Sequence, residues 1–88
     1  MSTKMKQKLP KWFNGTLYDK GDTVANIFTS EEVELTNIEL SLYDFIMGCN
    51  MLFERGSRRV NDNMIKDFDQ ALTWFRINNP QAYMVLLD

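Results

Sequence analysis

Residues 36–54 carry a helical pattern that is apolar on two opposite sides. The first stripe has the i, i+3, i+4, i+7 spacing of one helical face and comprises Ile38, Leu42, Phe45, Ile46, Cys49, Leu52 and Phe53. The second stripe comprises Leu40, Tyr43, Met47 and Met51. At about 100° per residue the two stripes are centred roughly 170° apart. Both sides of such a helix must therefore meet other parts of the chain or a partner.

The two ends of this helix are marked in the sequence. Thr36 followed by Glu39 forms a capping box, in which each side chain satisfies an unpaired amide of the first turn. Gly56 stands where a left-handed residue usually ends a helix. We therefore expect the helix to run from Thr36 to Glu54.

The length and charge of the chain indicate one small domain with a basic leader. Its 88 residues suit a single domain of modest stability, so self-association is worth considering. Residues 1–11 carry Lys4, Lys6, Lys8 and Lys11 and no acid, whereas residues 12–88 have 6 basic and 12 acidic side chains. We expect residues 1–10 to be a flexible basic leader and residues 11–88 to form the domain. The alternative is a basic arm for phosphate groups.

Residues 10–35 lack helical periodicity and carry turn and strand signals. Asn14-Gly15 suits a tight turn, so a short hairpin could form around it. Residues 23–27 and 32–35 are β-branched runs and predict an antiparallel hairpin with Val24, Val33 and Leu35 among its inward side chains. A lone hairpin is marginal in water, so it should pack on the helices.

A second helix is predicted from Asp62 to Ile77 or Asn78, with Asn61 as its N-cap and Val60 placed to pack on Ile65. Its core face should comprise Met64, Ile65, Phe68, Ala71, Leu72 and Phe75. Trp74 and Ile77 stand off this face and either extend the core or belong to a contact surface.

The chain should end with a third helix. Asn79 suits its N-cap and Pro80 its first position, so residues 81–87 should form a short apolar helix that docks on the core. The predicted fold class is α+β, with one or more N-terminal β-hairpins packed on a helical hairpin plus a short C-terminal helix.

Three segments carry a resemblance to a known group of proteins. LSLYDFIMG (residues 40–48), WFRINNPQAYMVLLD (residues 74–88) and the WFNGTLYDKGD region resemble small uncharacterised proteins of tailed phages that infect marine cyanobacteria. The resemblance implies expression in an infected bacterial cell and a role in host takeover, phage replication or particle assembly. It implies no reaction and no binding residues.

The residue types present exclude most catalytic chemistry. The chain has no histidine and a single cysteine, so it lacks the usual general base and cannot form a zinc site of thiolates and imidazoles. Asp67 and Asp69 diverge on a helix, and no Ca²⁺-loop or phosphate-loop spacing is present. Cys49 lies on a core face and should be a small buried hydrophobe. We expect no enzyme activity, no cofactor and no metal.

No apolar run reaches the length of a membrane span, and the polar, lysine-rich residues 1–11 lack the apolar segment of a secretion signal. We therefore expect no membrane association and a cytoplasmic location.

Two functions remain open. The favoured one is an interaction protein that uses Leu40, Tyr43, Met47 and Met51 to form a homodimer or to bind a host or phage protein. These four side chains could instead be covered by the hairpin and the terminal helix. The alternative is a nucleic-acid accessory protein that uses Lys4, Lys6, Lys8, Lys11, Trp12, Phe13, Arg55, Arg58 and Arg59. The acidic body and a pI near 5.0 argue against nucleic acid.

Overall fold

The computed structural model describes residues 7–87 and has an α+β fold, as predicted. The elements follow in the order β1 (Asp22–Ala25), β2 (Glu32–Leu35), α1 (Asn37–Arg55), α2 (Asp62–Asn78) and α3 (Pro80–Ala82), and a π-helical turn, Tyr83–Leu87, ends the described chain. Strands β1 and β2 form an antiparallel sheet, and α1 packs on α2.

Helix α1 begins and ends where its local signals indicate. The amide of Glu39 donates to Thr36 Oγ1 at 3.2 Å, and the Glu39 carboxylate accepts from the amide of Thr36 at 2.9 Å. At the other end Gly56 adopts φ = 61°, the left-handed conformation that glycine reaches without a steric penalty. Both the capping box and the C-terminal glycine are thus confirmed.

The first stripe of α1 builds the core, and the second stripe divides into two parts. Leu42 and Ile46 are fully buried in a cluster with Ala71 and Phe75 of α2 and with Phe13, Leu35 and Ala82. Leu40 and Tyr43 are half-buried and pack against this cluster, whereas Met47 and Met51 are 40% and 55% exposed. Among residues 7–87, the elements packed on α1 therefore cover only the N-terminal half of the second stripe.

The predicted hairpin of β1 and β2 is confirmed, with Val24 paired to Val33 and Asp22 to Leu35. Leu35 is buried, and the two valines are half-buried against the core cluster. Gly21 directly precedes β1 in the sequence and lies very close to β2. A Cβ atom on Gly21 would overlap the carbonyl oxygen of Leu35. Glycine therefore permits the close backbone approach at this end of the sheet.

The hairpin considered around Asn14-Gly15 was wrong, because the described residues form no strand there. Phe13 is instead buried, with its ring 5.9 Å from that of Phe45 on α1. The backbone of Tyr18 pairs with helix side chains: its amide donates to Ser41 Oγ at 2.9 Å and its carbonyl accepts from Asn37 Nδ2 at 3.2 Å. Burial of an aromatic ring and these hydrogen bonds replace strand pairing.

Helix α2 has the predicted bounds and the predicted N-cap, since Asn61 Oδ1 accepts from the amide of Met64 at 2.9 Å. Ile65 was wrongly placed on the core face, because it lies at the exposed margin of the apolar stripe. Trp74 is half-buried against the core, and Ile77 is exposed.

The helix predicted for residues 81–87 differs in its form. It starts at Pro80, with Asn79 as its N-cap, and becomes π-helical from Tyr83. Apolar spacing over so short a segment does not distinguish the hydrogen bonding of an α-helix from that of a π-helix.

Two glycine substitutions should change stability in opposite directions. Gly21→Ala should lower the free energy of unfolding by roughly 1–3 kcal/mol, since the new methyl group overlaps backbone that cannot move freely. Gly48→Ala should raise it by about 0.5–1 kcal/mol, because Gly48 lies inside α1 with open space at its Cβ position. Urea denaturation of both variants checks this, and equal effects would contradict the placement of these glycines.

Candidate protein-binding site

The Glu39 carboxylate is a buried anion that joins three parts of the chain. Glu39 is only 2% exposed. Its Oε1 accepts from the amide of Thr36 at 2.9 Å, and its Oε2 accepts from Gln7 Nε2 at 2.7 Å and from Asn79 Nδ2 at 3.0 Å. The negative charge lies in the first turn of α1, where free amides and the helix dipole favour an anion.

The groups around Glu39 also bond to one another and to neighbouring backbone. Thr36 Oγ1 donates to Gln7 Oε1 at 2.7 Å, and Asn79 Oδ1 accepts from the amide of Ala82 at 3.1 Å. Among residues 7–87 every buried side-chain nitrogen and oxygen has a hydrogen-bond partner. We call Gln7, Thr36, Glu39 and Asn79 the Glu39 network; it fixes the N-terminal segment and the α2–α3 junction on the start of α1.

A groove of about 590 Å³ lies between the N-terminal segment and the C-terminal half of α2. One wall is residues 8–12, and the other comprises Asp69, Gln70, Thr73, Trp74, Ile77 and Asn78. Gln7 directly precedes the first wall and Asn79 directly follows the second. The Glu39 network therefore joins the two walls, since both residues donate to the same carboxylate oxygen.

Two tryptophans give the groove firm apolar walls. The ring of Trp12 lies 6.0 Å from that of Phe45, and the ring of Trp74 lies 5.5 Å from that of Phe75. Both tryptophans are half-buried and pack against the core. Contact with the core fixes one side of each ring and leaves part of the other side to the groove.

The charged groups of the groove are two ammonium groups and one carboxylate. Lys8 and Lys11 lie on the N-terminal wall, and Asp69 lies on α2, so the lining has a net charge of about +1 at neutral pH. The lining has no histidine or cysteine to serve as base or nucleophile. The groove is suited to bind an apolar group that has acidic neighbours.

The turn between β1 and β2 is held by its first residue, Asn26. Asn26 Oδ1 accepts from the amides of Phe28 at 2.7 Å and Thr29 at 3.1 Å, and its carbonyl accepts from the amide of Ser30 at 2.8 Å. Asn26 Nδ2 donates to the carbonyl of Val85 at 2.7 Å. The turn is therefore ordered within itself and attached to the C-terminal segment.

This ordered turn presents the two most exposed large apolar side chains in the described chain. Ile27 is 86% exposed and Phe28 is 90% exposed. We call these two residues the hairpin tip. Their exposure was not predicted from the sequence, because Ile27 ends the first β-branched run and Phe28 lies between the two runs. An Ile-Phe pair directly after a turn-forming asparagine is the signal that could have identified them.

The predicted interface residues do not form one exposed surface. Leu40 and Tyr43 are half-buried, and burial, with the Asp44 carboxylate nearby, raises the pKa of Tyr43. Met47 and Met51 remain exposed on either side of Gly48. The part of this surface that is available to a partner is the outer face of the C-terminal half of α1.

The predicted nucleic-acid residues lie in two separate places. Lys8, Lys11 and Trp12 meet in the groove, while Lys4 and Lys6 are outside the described residues. Arg55, Arg58 and Arg59 are exposed around the α1–α2 connection, at the opposite end of α2 from Ile77. Helix α2 separates those ends by about 22 Å, at 1.5 Å per residue. Phe13 is buried and offers no face for stacking.

The leader predicted for residues 1–10 is described only from Gln7 onward. In that part Gln7 bonds to Glu39, and Leu9 packs against the core cluster.

Cys49 is buried in the described structure, as its position in the first stripe predicts. Burial, followed by the effect of the Asp67 carboxylate, raises the pKa of the Cys49 thiol. A raised pKa reduces the thiolate fraction and so disfavours nucleophilic chemistry.

Residues 7–87 bring no three histidine, cysteine or acidic side chains together in a way that could hold a metal ion. Within the same range no helix has both the length and the hydropathy to cross a membrane.

Comparisons with protein-family models, with curated proteins and with solved structures found no match for this chain.

Glu39→Ala should lower the free energy of unfolding by roughly 2–4 kcal/mol, because it removes half of the capping box and leaves the half-buried side-chain amides of Gln7 and Asn79 without this acceptor. Glu34→Ala is the matched control, since Glu34 is an exposed acid on β2 and its loss should change stability by less than about 0.5 kcal/mol. Chemical denaturation measures both. Equal losses of stability in the two variants would show that removal of a negative charge, and not loss of the Glu39 network, causes the effect.

Proposed function

We propose that this protein is a small non-catalytic interaction protein that binds another protein molecule through the hairpin tip. The observation that carries the proposal is the exposure of Ile27 and Phe28 on a turn that hydrogen bonds hold in place.

The energetics of the tip favour binding. Burying an exposed Ile or Phe side chain contributes about 1.5–3 kcal/mol of favourable free energy. A partner whose pocket buries both side chains is therefore bound more tightly. The hydrogen bonds of Asn26 already order the turn, so little conformational entropy is lost when a partner binds. Large apolar side chains that enter a pocket commonly dominate the energy of an interface.

The partner is either a second copy of this chain or another protein. The resemblance to small proteins of tailed phages would place the interaction in the cytoplasm of an infected bacterium, with a host or phage protein as the other candidate. This placement is a proposal that rests only on the quoted sequence segments.

Nucleic acid is a second candidate, favoured by one observation: Lys8, Lys11 and Trp12 meet in one groove. Asp69 in the same groove and the acidic body weaken attraction to phosphates. The arginines that would extend a basic surface lie at the other end of α2. The geometry therefore supports a protein partner better.

Photocross-linking tests the proposed function. p-Benzoylphenylalanine in place of Phe28 keeps an aromatic group at the tip and reacts with whatever covers it. The matched control carries the same probe in place of Glu54, an exposed position on α1. We expect one or a few discrete protein adducts from the tip probe in producing bacterial cells, and none of these from the control. Absence of a discrete tip adduct, or the same bands from both positions, would contradict the proposal.

A further inference from the structure

We propose that the hairpin tip of one copy binds in the groove of a second copy, so that the chain associates head to tail. This inference rests on the proposed function, in which the hairpin tip enters a pocket of another protein molecule. It adds that this pocket is the groove of a second copy.

Charge complementarity is the first argument. Residues 21–35, which contain the hairpin and its tip, carry Asp22, Glu31, Glu32 and Glu34 and no basic residue. The pocket that receives this tip should therefore have a basic rim. The groove has Lys8 and Lys11 on one wall. Asp69 opposes this attraction from the other wall.

Size and apolar character are the second argument. The groove is open to solvent, and its volume of about 590 Å³ is within the range of ligand pockets, so it has room for two neighbouring apolar side chains. Trp12, Trp74 and the exposed Ile77 supply apolar contact surface for Ile27 and Phe28. An apolar centre with charged neighbours matches the usual arrangement of a protein interface.

The hairpin tip does not fill the groove of its own chain in the described structure. The Asn26–Val85 hydrogen bond attaches the turn to the C-terminal segment, and neither Ile27 nor Phe28 lines the groove. Each copy thus presents one tip and one groove. Contact between two such different surfaces is heterologous and produces a ring or an open chain of copies, in contrast to a two-fold dimer.

Complementary variants test the inference. The tip variant, Ile27→Ser with Phe28→Ser, keeps an intact groove. The groove variant, Lys11→Glu with Ile77→Glu, keeps an intact tip and repels the acidic hairpin. All four positions are exposed, so both variants should fold, and circular dichroism verifies this.

Sedimentation velocity is measured up to about 1 mM, which populates even weak contacts. We expect the wild type to form dimers and larger assemblies and each variant alone to be monomeric. An equimolar mixture should give a 1:1 dimer and nothing larger, because only one productive contact is left. Asp69→Lys in the wild-type chain should tighten association severalfold, and added salt should weaken it.

Several other results would contradict the head-to-tail contact. A mixture of the two variants that stays monomeric would overturn the inference. Loss of assembly on Met47→Glu with Met51→Glu, and not in the tip variant, would also overturn it in favour of a two-fold contact through α1. A monomeric wild type whose tip probe captures a different protein would overturn the head-to-tail contact and retain the proposed function. A monomeric wild type with no tip adduct would overturn both.

Discussion

The Glu39 carboxylate is the interaction on which the arrangement of the chain depends. A buried anion without partners would cost several kcal/mol, so the fold must supply donors to it. The structure supplies three from different stretches: the Thr36 amide at the start of α1, Gln7 before it in the chain, and Asn79 at the α2–α3 junction. No cation is needed, because the first turn of α1 favours a negative charge.

The same network positions both candidate surfaces. Gln7 and Asn79 adjoin the two walls of the groove and bond to the same oxygen, so the carboxylate fixes how far apart those walls lie. Asn79 also caps the helical turn that leads to Val85, whose carbonyl accepts the hydrogen bond of Asn26. The hairpin tip is therefore attached to the same framework, and a folded copy presents tip and groove in a fixed relation.

Features that depend on neighbouring residues could be predicted from the sequence. The capping box of Thr36 and Glu39, the C-terminal Gly56 and the N-cap Asn61 act within a few residues and were placed correctly. Val24 and Val33 likewise follow from strand alternation and turn spacing. The Asn14-Gly15 signal was overridden by burial of Phe13 against Phe45, a contact across 32 residues that no local pattern reports.

The candidate site depends on contacts between residues that are far apart in the sequence. Glu39 was recognised as a capping residue, yet its bonds to Gln7 and Asn79 span 32 and 40 residues. The groove combines Trp12 with Trp74, and only the folded chain brings these together. The exposure of Ile27 and Phe28 also depends on the fold, since an apolar pair in sequence is equally compatible with burial.

The measurement that tests the central claim most directly is the coupling free energy between Gln7→Ala and Asn79→Ala, obtained by chemical denaturation of both single variants and the double variant. If both residues serve one buried carboxylate oxygen, the double variant should lose roughly 0.5 kcal/mol or more beyond the sum of the single losses, since that oxygen then has neither amide donor. Additivity within about 0.3 kcal/mol would contradict the account and show that the two walls are held independently.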